Sequence, residues 1–201
     1  MDRFLNSTIS LVILVLLSPL FLIVGIMIKL SSKGPVFFTQ KRIGRNNELF
    51  KFYKFRTMKI GTPDVSTDKL DNSKSYITGI GKVLRKTSID ELPQLINTLK
   101  GDMTFVGPRP ALYNQFELKQ MRTEAGVHKL LPGVTGWAQI NGRDNNDDRE
   151  KTDYDVYYKD NKSFILDIKI LFLTVFKVLK AEGIDDEAGK KKPRIKFSKI
   201  N

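Results

Sequence analysis

Cysteine is absent from the 201 residues and histidine occurs once, as His128. The first absence excludes disulfide staples and thiolate metal sites and fits a reducing compartment. The second excludes multi-histidine metal centres, and the lone histidine reads as an ordinary surface or core residue. No internal repeat is visible, and neither Rossmann nor P-loop spacing occurs among the glycines. Acid is scarce relative to base: 22 Asp and Glu against 34 Lys and Arg, a formal charge of +12. Two readings of that excess stand side by side, a solvated basic surface or an anionic partner such as nucleic acid, an acidic membrane face or a phosphorylated substrate. Hydrophobic residues make up 41% of the chain, 13 of them Phe, enough for the core of one domain with or without a membrane segment.

Charge is also missing from one long stretch. Nothing between Arg3 and Lys29 is charged, and Leu11 to Ile28 is almost continuously apolar. A straight helix rising ~1.5 Å per residue would cross a hydrocarbon core of ~30 Å at that length. A cleaved signal peptide is disfavoured, because the run is too long and Lys29-Leu30-Ser31-Ser32-Lys33 follows instead of a small-residue cleavage site. Against a simple span stands Ser18-Pro19 at its middle, where the ring clashes with the Val15 carbonyl and removes a donor. The flanks, Arg3 on one side and Lys29 and Lys33 on the other, give no direction by positive-inside logic. A helix that enters, breaks at Ser18-Pro19 and returns would leave both flanks on one face, with Ser18 satisfying freed backbone groups. Spanning and re-entrant readings both remain open on the residues alone.

Downstream, Val36 to Gln40 and Leu49 to Thr57 read as strands joined by a turn holding Gly44, Asn46 and Asn47. The second strand carries Lys51, Lys54 and Arg56 between phenylalanines, either a half-buried strand or a basic face aimed at phosphate. Gly61 to Ser75 reads as a polar loop. Leu92, Leu95, Ile96 and Leu99 stand at the spacing of one buried helix face, with Gly101 as the stop. Its start is ambiguous. Ser88 and Glu91 have capping-box spacing, but Asp90 as N-cap places Pro93 among positions whose N–H is unpaired anyway. Either start puts Asp90 and Glu91 at the positive end of the helix dipole. Gly107-Pro108-Arg109-Pro110 is a rigid loop presenting one Arg, and a short helix covers Gln115 to Thr123. Gly136 to Ile140 reads as a strand ending in an Asn141-Gly142 turn that presents Arg143. Phe164 to Lys180 is an apolar helix with a narrow polar stripe of Asp167, Thr174, Lys177 and Lys180, lying in a membrane interface or buried as a core helix. The tail, with Lys190-Lys191-Lys192 and Arg194, reads as disordered and drawn to anionic lipid.

Acid pairs are common by chance, and Asp90-Glu91 alone means little. Its setting is informative: an apolar helix behind it and Arg85, Arg109 and Arg143 on flanking turns. Carboxylates beside arginines suit a metal–phosphate site, since Mg²⁺ takes one or two carboxylates plus phosphate oxygens and Arg forks match phosphate. A surface salt-bridge network is the bland alternative.

Five segments in order, Phe52 to Met58, Asp90 to Leu95, Lys100 to Met103, Val106 to Pro110 and Pro132 to Gln139, resemble the bacterial sugar transferases. These are monotopic polyprenyl phosphate phosphoglycosyl transferases, and the chain is similar to their minimal form, of which the bacillosamine-phosphate transferases are an example. The resemblance implies an α/β (α+β-like) fold: a re-entrant helix-break-helix over residues 1–32 and a cytoplasmic catalytic domain over 33–201, its basic tail beginning near 183. It implies placement in the bacterial cytoplasmic membrane, with a UDP-sugar and polyprenyl phosphate as substrates and no nucleic acid. Asp90 is implied as the nucleophile and metal contact, with Glu91 assisting at the metal or activating the lipid phosphate. Mg²⁺ is the implied cofactor. Arg109 leads the phosphate-binding candidates, followed by Arg85, Arg56 and Arg143. The break at Ser18 and Pro19 is implied as the turn of the re-entrant helix.

A rival from another class is a membrane-tethered basic protein that binds nucleic acid or anionic lipid. It leaves the acid pair and the Gly-Pro-Arg-Pro loop without a purpose. Among enzymes the rival is a membrane phosphodiesterase in which water replaces the lipid phosphate.

Overall fold

The computed structural model describes residues 3–63, 73–142 and 146–179. Two helices open it, α1 (Arg3–Leu16) and α2 (Ser18–Ser31), meeting at a bend of 62°. The bend has a local cause. Pro19 stands in the first turn of α2 and has no N–H for the Val15 carbonyl, and the Ser18 hydroxyl donates to that carbonyl instead, at 2.8 Å. Among the described residues no single helix is long and apolar enough to cross a membrane, although this bent pair together is.

An antiparallel hairpin follows, β1 (Phe37–Ile43) and β2 (Leu49–Phe55), with Phe37 opposite Phe55 and Ile43 opposite Leu49. Its turn is as expected from Asn46 and Asn47, both at positive φ. Then come α3 (Ser73–Tyr76), α4 (Gly79–Lys86), a 3₁₀ turn at Ile89–Glu91, and α5 (Gln94–Lys100). A parallel pair, β3 (Thr104–Val106) and β4 (Gly133–Thr135), encloses α6 (Phe116–Glu124). The chain continues through α7 (Trp137–Ile140), α8 (Asp148–Asn161) and α9 (Phe164–Leu179). The architecture is the mixed helix-and-strand class expected of the sequence. Most of the expected loop from Gly61, Arg143, Lys180 and the basic tail lie outside the described residues.

Two apolar clusters hold these layers. Val24 and Ile28 of α2 pack with Phe55 of β2 and Leu84 of α4, joined by Phe21, Val36 and Ile89. Val106, Ile140, Tyr158 and Ile170 form the second, around β3, α7, α8 and α9. The first places the base of the bent pair directly behind the Ile89–Glu91 turn.

Two expectations are corrected. Gly136 to Ile140 is not a strand: the strand is β4, and Trp137–Ile140 is one helical turn. A four-residue apolar run carries too little periodicity to separate the two. Neither Ser88 nor Asp90 caps α5. Ser88 is left-handed with φ 56°, the acid pair lies in the 3₁₀ turn, and the helix starts only after Pro93. Of the four-residue apolar stripe only Leu95 is buried, because α5 turns Gln94, Asn97 and Thr98 inward as well. On α9, the described part of the polar stripe, Asp167, Thr174 and Lys177, faces the protein. Asp167 accepts from the Tyr158 hydroxyl at 2.7 Å, Thr174 shares a hydrogen bond of 2.7 Å with Thr135, and Lys177 donates to the Ile140 carbonyl. Ile165 and Phe172 on the other side are exposed.

Candidate active site

Asp90 owes its position to a sharp reversal. Ser88 adopts the left-handed conformation, which costs an L residue on the order of 1–2 kcal/mol. The Glu91 and Leu92 amides then donate to the Ser88 and Ile89 carbonyls, both at 3.2 Å. Ile89 is sunk in the α2 cluster, so the turn cannot rotate away. The Asp90 side chain is thereby directed inward and is 6% exposed.

Cations surround it. Lys54, Arg85 and Arg109 all act on the Asp90 charge, and Arg42 stands close enough to Lys54 to oppose its ionisation. Burial first, and the neighbouring Glu91 charge second, push the Asp90 carboxyl up to about 6. Burial pulls the Lys54 ammonium down to about 8, partly offset by Asp90. Its Nζ lies 5.2 Å from the Phe38 ring centre, an apolar floor that accounts for part of the desolvation. Arg85 reaches the site from α4, its Nε donating to Thr57 Oγ1 at 3.1 Å. That contact requires α4 to lie against the end of β2, and a Cβ on Gly81 would collide with the Thr57 carbonyl.

Arg109 faces Glu91 in a two-pronged pair at 2.6 and 3.3 Å. The Gly-Pro-Arg-Pro loop is itself clamped. Arg122 of α6 donates to the Arg109 carbonyl at 2.8 Å, and Arg42 of β1 to the Pro110 carbonyl at 3.0 Å. Arg122 is anchored in turn by buried Asp155 of α8 at 2.5 and 2.9 Å. Backbone approach completes the support: a Cβ on Gly136 would run into the Gly107 carbonyl.

Asp90, Glu91, Arg85 and Arg109 are therefore brought together. Arg56 is not oriented towards them: its guanidinium donates to the Lys33 carbonyl, to the Ser32 carbonyl at 2.8 Å and to Ser32 Oγ at 3.0 Å, tying the end of α2 to the hairpin. The expected basic face of β2 thus divides by strand alternation and by neighbours. Lys54 joins the acid pair, Arg56 fastens a helix end, and Lys51 lies on the opposite face with Tyr53. Sequence reasoning missed Lys54, Arg42, Arg122 and Asp155 as parts of the site or its frame. For Lys54 a signal existed, a lysine alternating with phenylalanines inside a motif; for Asp155, one acid among several in a polar helix, none did.

A buried carboxylate with an acidic neighbour lies among Lys54, Arg85 and Arg109, an arrangement whose charge suits a polyanion. The chain belongs to the bacterial sugar transferase family, whose model matches residues 1–181. It is 43% identical over 190 residues to the uncharacterized sugar transferase EpsL of Bacillus subtilis, covering 92% of this chain and 90% of that one. It is 44% identical to the UDP-glucose:undecaprenyl-phosphate glucose-1-phosphate transferase of Escherichia coli, over 82% of this chain and 37% of that one. It is 40% identical to an Aeromonas hydrophila UDP-N-acetylgalactosamine-undecaprenyl-phosphate N-acetylgalactosaminephosphotransferase, over 84% and 41% respectively. The chain spans about two-fifths of the length of the latter two.

Proposed function

We propose that this transferase moves a sugar 1-phosphate from a UDP-sugar to undecaprenyl phosphate and releases UMP. The observation that carries the reading is the buried Asp90 carboxylate beneath Lys54, Arg85 and Arg109, in a chain whose relatives are named for that transfer. In the first step a carboxylate oxygen of Asp90 bonds to the sugar-bearing phosphorus, the bond from that phosphorus to the bridging oxygen breaks, and UMP leaves. In the second step an oxygen of undecaprenyl phosphate attacks the same phosphorus and Asp90 departs as carboxylate. A carboxylate meets a diphosphate only when neighbouring charge is cancelled. Arg85 and Lys54 supply that beside the attacking oxygen, and Arg109 supplies it once its fork passes from Glu91 to phosphate. Glu91 is then released to take the metal or to activate the lipid phosphate.

Mg²⁺ is the cofactor we assign. The donors fit a hard cation: two adjacent carboxylates, with no group of three metal-binding side chains among the described residues, leaving positions for phosphate oxygens and water. When bound, the ion withdraws charge from the diphosphate. Asp90 and Glu91 would hold it.

The membrane placement we infer is re-entrant, with both ends of the chain on the cytoplasmic face. It is supported by the bend at Ser18-Pro19 and by the exposed apolar sides of α1 and α9. The test is incubation with a panel of UDP-sugars, with and without undecaprenyl phosphate, reading UMP and the lipid product. Sustained UMP release beyond one equivalent per enzyme, without lipid phosphate and without a lipid-linked sugar, would instead identify a phosphodiesterase.

A further inference from the structure

β2 has a second basic face. Alternation sends Lys51 and Tyr53 to the side opposite Lys54, and there they meet the last residue of α5. Lys100 Nζ lies 4.8 Å from the Tyr53 ring centre and donates to its hydroxyl at 3.1 Å. Lys51 Nζ lies 5.7 Å from the same ring. Arg3 arrives from the first turn of α1: it donates to the Lys100 carbonyl at 3.4 Å, and its guanidinium lies where a Cβ on Gly101 would stand.

Two ammonium groups from two elements thus converge on one aromatic ring, and Arg3 reaches the end of α5 beside them. Among the described residues none of the three forms an ion pair with a carboxylate. Asp102, two residues after Lys100, accepts from Asn97 Nδ2 at 3.2 Å. Like charges held together without a counter-charge make an anion site. A ring that orients two ammonium groups lowers the cost of assembling it.

The surroundings state which anion. Phe4 and Leu5 follow Arg3 directly and are exposed, at the start of an apolar helix side that continues through Leu11, Val12 and Val15. Cations at the polar end of an apolar helix stand at headgroup depth when that helix enters a bilayer. We propose that Arg3, Lys51, Tyr53 and Lys100 bind the phosphate of an anionic phospholipid headgroup, separately from the substrate phosphates at Asp90. This rests on the membrane placement inferred above and not on the transfer chemistry.

The test uses the full chain in neutral detergent and counts bound lipid by native mass spectrometry. Short-chain phosphatidylglycerol, phosphatidylcholine of the same acyl length and inorganic phosphate serve as probes. Phosphatidylglycerol should be retained over phosphatidylcholine. Each ammonium removed should weaken that retention about fivefold, so that Lys51→Gln with Lys100→Gln loses about 25-fold. UMP release by the double variant in detergent should be unchanged, which separates this site from the reading of the reaction. If the double variant fails to fold, Lys51→Gln alone, an exposed position, should show the fivefold loss. Equal retention of the two lipids, a preference that survives both substitutions, or full displacement by inorganic phosphate at equal concentration would overturn the proposal.

Discussion

The two halves of the molecule handle polarity in opposite ways. Around Asp90 a charged group is buried beside a second acid, and burial first and the Glu91 charge second raise its carboxyl to about 6 against the pull of Lys54, Arg85 and Arg109. Along α1 and α9 polar groups are buried as well, but they serve as fasteners. Ser7 donates to the Leu99 carbonyl at 3.2 Å, Thr174 pairs with Thr135, and Asp167 pairs with Tyr158. The apolar residues of those helices, Phe4, Leu16, Ile165 and Phe172, remain outside. The proposed membrane placement accounts for this: in a bilayer, hydrocarbon contact costs nothing and an unpaired polar group costs several kcal/mol. A buried polar residue therefore signals function only after its partners have been counted.

The sharpest break in this comparison is Asp90→Asn. If Asp90 is the nucleophile as proposed, turnover should fall more than a thousandfold, because its charge is removed at nearly constant size. Melting in metal-free detergent solution at pH 8 should rise, since the buried charge is gone. The sign follows from linkage: a carboxyl at about 6 in the fold and about 4 unfolded holds its proton more tightly when folded. Wild type is thus penalised above pH 6 by about 3 kcal/mol. That gain should vanish near pH 4, where wild type is neutral too. Unchanged turnover would remove Asp90 from the reaction.

Asp155→Ala should be next in size. Arg122 would be left buried without its carboxylate, costing about 3–5 kcal/mol in stability and loosening the Arg109 carbonyl contact, with UMP release impaired in the folded fraction. A loss below 1 kcal/mol in chemical denaturation would show the pair to be solvated.

Ile165→Gln with Phe172→Gln separates the halves by solvent. In detergent-free water such exposed positions would barely matter, whereas on a membrane each lost side chain removes up to ~1.5–3 kcal/mol of burial. Release from liposomes with unchanged fold is the expected outcome, and full retention would mean that α9 does not touch the bilayer. Topology is tested by cysteines at Asp2 and Lys33, both of which should resist an impermeant thiol reagent in intact cells. Labelling at Asp2 would show that the bent pair spans. The smallest effect belongs to Thr174→Val, about 1 kcal/mol for one part-buried hydrogen bond, read by thermal melting.

Much of this was legible in the chain. The hairpin was readable because its phenylalanines alternate and Asn46-Asn47 marks its turn. The break at Ser18-Pro19 was readable because proline's missing donor is a local fact. The acid pair and Arg109 stood out by type and context. The start of α5 was not readable, since a left-handed Ser88 is imposed by Ile89 packing into the α2 cluster, a contact distant in sequence. Trp137–Ile140 was misread because four residues hold no usable period.

What the sequence determined by itself is therefore local: which runs are apolar, where proline and glycine interrupt them, and which acids and bases exist. What tertiary structure alone decided is which charge meets which. Lys51, Lys54 and Arg56 are near neighbours in and just after β2 yet go to Tyr53, to Asp90, and to the end of α2. The strand's alternation separates Lys51 from Lys54, and elements remote in sequence supply the partners of Lys54 and Arg56. The ionisation of Asp90 is likewise set by burial, by Glu91 and by three cations from separate segments, because desolvation and Coulomb energy depend on distance in space.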